Sequence, residues 1–280
     1  MNAAWAHGVA EPEGSMGWSF EPMVVLSLGL AAWFYLVGSA RLRARSATAI
    51  PLSERALFWL GLGSAALALI SPLHVVGTQV FTAHMIEHEI LMVVAAPLLV
   101  AARPGAAFTW GLPQAWRRPM ALLLHTRAVK AAWAHATELW SATAFHAAML
   151  WLWHAPGLLK PVLASEFVHV LQHASFMLSA LFFWTAVLRA AGPHGRAQGS
   201  AVIALFLTSL QAGLLGALMT FSRSPWYPFA PDPFPICGLT RLEDQALAGL
   251  IMWIPACTVY VVAALIVMAR WLMRLEARHA

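Results

Sequence analysis

Residues 78–101 read TQVFTAHMIEHEILMVVAAPLLVA. The run is long enough to cross a bilayer, whose hydrocarbon core takes about 20 apolar residues of helix. It nevertheless carries two histidines and two glutamates. His84, His88 and Met92 are spaced by four, so on an α-helix they form one stripe. The same spacing recurs at His169, His173 and Met177, in HVLQHASFM. Titratable residues inside a membrane segment are expensive and mark functional sites by default.

The rest of the chain agrees with a membrane environment. It is 60% hydrophobic and only 10% charged, against about 25% charged for soluble domains. Seven apolar runs are expected to span, at about 21–40, 54–73, 78–101, 137–157, 165–188, 200–221 and 244–270. The expected fold class is an all-α polytopic membrane protein, one seven-transmembrane-helix bundle over residues 1–280. Residues 1–20 hold Glu11 and Glu13 and no basic residue. They lack a signal-peptide pattern, so the first span is expected to be kept.

Fourteen of the seventeen basic residues fall after spans 1, 3, 5 and 7, leaving Lys160, Arg223 and Arg241 on the other side. The positive-inside rule then puts the N-terminus outside and the C-terminus in the cytoplasm. The net charge of +5 calls for membrane lipid and for no nucleic acid. Cys237 lies in the last outer loop and Cys257 within span 7, so no disulfide is expected. Residues 102–136 are expected to hold an interfacial amphipathic helix. The proline-rich stretch 222–243 is expected to be a turn-rich cap, its Trp226, Tyr227, Phe229 and Phe234 anchoring the outer interface.

Topology turns position into depth. Spans 3 and 5 run inward from the same outer face, so both histidine pairs enter at matched depth. Span 4 runs outward, placing His154 near the outer surface and His146 about 12 Å deeper. His74 closes span 2 and reads as an interfacial hydrogen-bonder; Asp244 and Gln245 open span 7 on the same side. Met92 and Met177 continue each stripe about 12 Å inward of its first histidine, as softer metal ligands or as apolar filler. Imidazole with thioether favours copper, as Cu(I), over oxygen-loving cations, and zinc has little use for methionine. Haem b would take one histidine per helix and leave the i+4 partners unexplained. Glu87 and Glu89 point about 100° to either side of His88. The open roles are orienting a ligand imidazole, carrying a proton-linked charge, or pairing with Lys160.

Five segments together resemble the CtaG-like cytochrome c oxidase assembly family, the multi-pass type named for caa-type oxidases. They are SPL at 71–73, HMIEHEILMVVAAPLLV at 84–100, WLWHAPGLL at 151–159, HVLQHASFMLSALFFW at 169–184 and DQALAGLIMWIP at 244–255. The resemblance implies a seven-span protein of the bacterial inner membrane. It implies a non-enzymatic role in supplying copper to the oxidase catalytic subunit. By match to these motifs it carries His84, His88, His154, His169, His173 and Asp244 as functional positions. Glu87 and Glu89 make the first histidine segment more acidic than the resemblance leads one to expect.

The expected metal set is therefore His84, His88, His169, His173 and His154, with Met92 and Met177. Glu87, Asp244 and His146 are expected to support it from behind. The expected partners are the oxidase catalytic subunit and a periplasmic copper donor. The rivals are a copper permease or resistance protein, whose polar ligands would continue to the cytoplasmic face, and a bis-histidine haem electron-transfer protein.

Overall fold

The computed structural model describes residues 17–46, 48–192, 197–227 and 238–279. The described residues are helical, joined by short turns. In chain order the helices are α1 (Pro22–Arg45), α2 (Leu52–Ile70), α3 (Pro72–Gly77), α4 (Phe81–Ala101) and α5 (Gly105–Gly111). They continue as α6 (Gln114–Leu124), α7 (Arg127–Ala136), α8 (Leu139–Trp153), α9 (Leu159–Ala164), α10 (Glu166–Ala191), α11 (Gln198–Thr220) and α12 (Arg241–Ala277). Every expected span overlaps one of them.

Six helices are long and apolar enough to cross a membrane: α1, α2, α4, α10, α11 and α12. The chain is thus a multi-pass membrane protein. The helix at the expected fourth span, α8, has 15 residues. That is about 22 Å, short of the roughly 30 Å hydrocarbon core. It packs between α10 and α11.

Helix α4 is the axis of the bundle. Around it stand α2, α10 and α12. It runs parallel to α10: His84 faces His169 at 5.5 Å between ring centroids, and His88 faces His173 at 5.1 Å. Deeper, the Trp184 indole N–H donates to the Met92 carbonyl at 2.9 Å. Helix α8 returns antiparallel to α10. Trp153 Nε1 donates to Ser175 Oγ at 2.7 Å near one end, and His146 Nδ1 meets Ser179 Oγ at 3.0 Å further in.

Two helices contain a π-helical turn, Ile90–Ala95 in α4 and Met252–Ala256 in α12. In α12 the turn holds Pro255, which lacks an N–H and displaces the α-helical register. In α4 it ends two residues before Pro97, whose ring likewise displaces the carbonyl one turn earlier.

Helix α1 docks on the bundle through α5, where Gly38 and Gly111 allow backbone contact. A Cβ on Gly38 would stand 2.7 Å from the Gly111 nitrogen, and one on Gly111 would collide with the Phe34 carbonyl oxygen. Tyr35 stacks on Phe58 of α2 at 3.6 Å and completes a satellite core.

Helices α6 and α7 bury no residue. They display Trp116, Leu122, Leu123 and Trp133 beside Arg117, Arg118, Arg127 and Lys130. This is the amphipathic segment expected within 102–136, as two helices. Cys257 is a free thiol, its Sγ donating to the Ser209 carbonyl at 3.1 Å. Cys237, Phe229, Phe234 and the prolines from 228 to 235 lie outside the described residues, as do Glu11 and Glu13.

Candidate metal centre

Helix α4 needs its first turn fixed, because its leading N–H groups have no partner within the helix. Asp244, at the start of α12, supplies one. Its carboxylate accepts from the Phe81 N–H at 2.8 Å, the Thr82 N–H at 3.0 Å and the Thr82 hydroxyl at 2.6 Å. The Thr82 hydroxyl also lies 3.0 Å from the Asp244 carbonyl. A buried carboxylate there also suits the positive end of the helix dipole. Asp244 is thus a cap supplied by another helix. It sets the height and rotation of the turn carrying His84 and His88.

The two histidine stripes meet across the α4–α10 contact. His84 and His88 lie 4.3 Å apart between ring centroids, and His169 and His173 lie 4.4 Å apart. Across the interface, His84 to His173 is 6.0 Å. All four are buried. One ligand atom from each of His84, Glu87, His169 and His173 falls within 4.8 Å of all the others. Gln172 reaches His84 from one turn of α10. His88 lies one helical turn beyond His84 and rests on Phe176 at 4.6 Å. Neither of its ring nitrogens has a hydrogen-bond partner among the described residues.

Glu87 turns into the cluster. Its carboxylate lies 3.3 Å from His74 Nδ1 and 3.6 Å from His173 Nε2. The π-turn begins only at Ile90, so the two glutamates still flank His88 as ordinary helical geometry requires. Glu89 faces elsewhere, buried, and its Oε2 has no hydrogen-bond partner among the described residues. Gly77 makes room for Glu87: a Cβ there would stand 2.8 Å from the Glu87 Oε1. The Lys160 side chain, the other expected partner of the glutamates, lies outside the described residues.

His74 is more than an interfacial hydrogen-bonder. It is 3% exposed and stacks on His169 at 5.3 Å with the ring planes 12° apart. Its Nε2 meets Glu21 at 3.2 Å, and Glu21, His74 and His169 form a second group of converging ligand atoms. Burial opposes its charge, but hydrogen bonds to Glu21 and Glu87 outweigh that and raise the imidazole to about 10. The sequence held a signal for both residues. Glu21 and His74 sit at the ends of spans 1 and 2 that share one end of the bundle with the two stripes.

His154 stands beside the cluster. Its Nδ1 lies 2.7 Å from the Leu150 carbonyl, which can only accept, so Nδ1 carries the proton. In the neutral ring Nε2 therefore presents a lone pair, and it faces the Met85 sulfur at 3.3 Å. The Tyr227 hydroxyl donates to the His154 carbonyl at 2.7 Å. Tyr227, expected as an interface anchor, is instead 5% exposed, and burial pushes its phenol pKa up. Gln245 holds the adjoining segment by accepting from the Trp226 N–H at 2.6 Å.

The remaining expected residues lie apart from the cluster. Met92 falls within the π-turn, which shifts the helical phase and takes it off the His84–His88 line. It is buried among apolar side chains, and Met177 packs half-buried against apolar cores. The thioether that meets an imidazole belongs to Met85, a residue outside both stripes. His146 uses both ring nitrogens, on Ser179 Oγ at 3.0 Å and Tyr260 Oη at 3.2 Å. It ties α8, α10 and α12 together.

Comparison with known proteins adds one finding. No curated protein and no solved structure matches the chain significantly. The family profile described as cytochrome c oxidase caa3 assembly factor matches residues 33–274, a stretch that contains every histidine of the cluster. The chain belongs to the cytochrome c oxidase caa3 assembly factor family.

Proposed function

We propose that the chain takes up Cu(I) at the His84, His88, His169 and His173 cluster and passes it to the catalytic subunit of a haem–copper oxidase. Copper is cargo here, and the protein catalyses no reaction. The observation that carries this reading is His88, whose two ring nitrogens are buried between His84 and His173 with no hydrogen-bond partner among the described residues. A buried polar group without a partner costs free energy comparable to a lost hydrogen bond, and more in lipid. A bound cation removes that penalty at the nitrogen that coordinates it. Imidazoles with a nearby carboxylate accept several metals, and the adjoining soft pair, His154 Nε2 with Met85 Sδ, selects for Cu(I) among them. That pair takes the softer-ligand role expected of Met92 and Met177.

In this reading the chain crosses seven times. Helices α4 and α10 run parallel, so the chain returns between them, and α8 with its flanking turns makes that return. The positive-inside rule sets the N-terminus outside and the C-terminus in the cytoplasm of a bacterial inner membrane. Glu21 and His74 then lie between the cluster and the periplasm, where a soluble copper donor docks. The cargo leaves sideways, by ligand exchange to an oxidase subunit whose own site lies at similar depth.

The test is replacement of all four stripe histidines by alanine in copper-limited cells. Oxidase activity is expected to collapse while the variant protein persists in the membrane. Unchanged oxidase activity overturns the proposal. So does a Soret band with stoichiometric haem in the purified wild-type protein, which selects the haem reading.

A further inference from the structure

At the other end of α4, about 25 Å from His84 along the helix, a cleft of about 680 Å³ opens between α4, α10 and α12. Arg103, Arg189, Arg270 and Arg274 all line it. Three of these are exposed and Arg274 is half-buried. The floor is apolar, with Val187 and Val267 buried and Val100 half-buried on the wall.

Four guanidiniums around one cleft repel each other unless something negative lies among them. Among the described residues none of the four has a carboxylate within ion-pair distance. Two are held in place from behind. Arg189 donates to Thr137 Oγ1 at 3.0 Å, and Arg274 donates to the Gly192 carbonyl at 3.1 Å. Arg103 has φ 49°, a left-handed conformation that L residues rarely adopt, and it does so where α4 ends at the cleft. Neither Arg103 nor Arg270 makes a side-chain hydrogen bond to any described residue.

We propose that this cleft binds one anionic phospholipid. Its phosphate sits between Arg103 and Arg270, and its glycerol and first acyl carbons lie along Val100, Val187 and Val267. Guanidinium is the side chain suited to phosphate oxygens, because its donors form a planar fork. Basic pockets between membrane helices take such headgroups. Free phosphate has the same recognising chemistry but fits poorly. The cleft is far larger than one phosphate, so a lone phosphate leaves the apolar floor wet. The proposal is independent of the copper reading, since it uses no residue of the histidine cluster.

The test is native mass spectrometry of the purified full chain in detergent, titrated with phosphatidylglycerol, phosphatidylcholine or inorganic phosphate. One phosphatidylglycerol per chain is expected to bind saturably, with phosphatidylcholine released and inorganic phosphate unable to displace the lipid. Arg103→Gln with Arg270→Gln is expected to weaken binding about 25-fold, near fivefold for each charge. Arg270→Gln alone, at an exposed position, is expected to weaken it about fivefold and covers the case in which the double variant fails to fold. Arg118→Gln on α6, outside the cleft, is expected to bind as wild type. Equal retention of the two lipids, displacement by inorganic phosphate, wild-type binding by the Arg270 variant, or equal loss in the Arg118 variant each overturns the proposal.

Discussion

His88 and Asp244 show two different reasons for a polar residue to be buried in this bundle. Asp244 is satisfied: two backbone N–H groups and a hydroxyl donate to its carboxylate. Its role is to hold α4. Asp244→Ala is expected to destabilise the protein by about 3 kcal/mol, since it strands buried donors that now reach a charged acceptor. Asp244→Asn keeps the acceptor oxygen and is expected to lose less; thermal unfolding in detergent measures both. His88 has no hydrogen-bond partner among the described residues, so removing it strands none of them. His88→Ala is expected to lower copper content with little change in melting temperature, the reverse of the Asp244 pattern. His154 and Met85 form a further pair with a separable test. Met85→Leu keeps the volume within about 1.5 kcal/mol of stability. It is expected to remove sulfur from the copper coordination sphere seen by X-ray absorption, while Met92→Leu leaves that sphere unchanged.

At the scale of the element, the account turns on where regular helix ends. The four-residue spacing that aligns His84 with His88 also aligns Met92, but only in an uninterrupted α-helix. The π-turn at Ile90–Ala95 breaks that alignment after the second histidine. Its cause was on view in the sequence, as Pro97, but proline alone does not say whether a helix kinks, ends or absorbs a π-turn. The two histidine pairs were legible because both lie before any such irregularity. Helix packing supplied what periodicity lacks. Gly77 brings α3 against α4 closely enough that His74 and Glu87 meet. Gly77→Ala is expected to displace the Glu87 carboxylate and weaken copper binding, with stability changed by no more than about 1–3 kcal/mol. Gly38→Ala is expected to act differently. Its added methyl would meet α5 backbone, which cannot rotate away. The expected result is loss of α1 docking, read as early proteolysis between α1 and α2, with the cluster's copper intact.

Across the whole molecule, the bundle gathers residues from five helices at one end. Six of the seven expected spans followed from apolar periodicity, and the four-residue spacing gave the two histidine stripes that meet side by side on α4 and α10. The sequence placed Glu21 and His74 at one end of the bundle, but what they and Met85 touch did not follow, because that depends on which helices are neighbours. A single chain with no regular repeat does not state that. The result is a polar centre near one end of α4 and a basic cleft near the other, with a buried apolar interior between them. The central claim is that the α4–α10 histidine cluster holds copper, and the most direct test is the copper content of the purified protein after loading with Cu(I). The account predicts bound copper in the wild type and its loss from a folded His84→Ala, His173→Ala variant. Equal copper in the two proteins would contradict it.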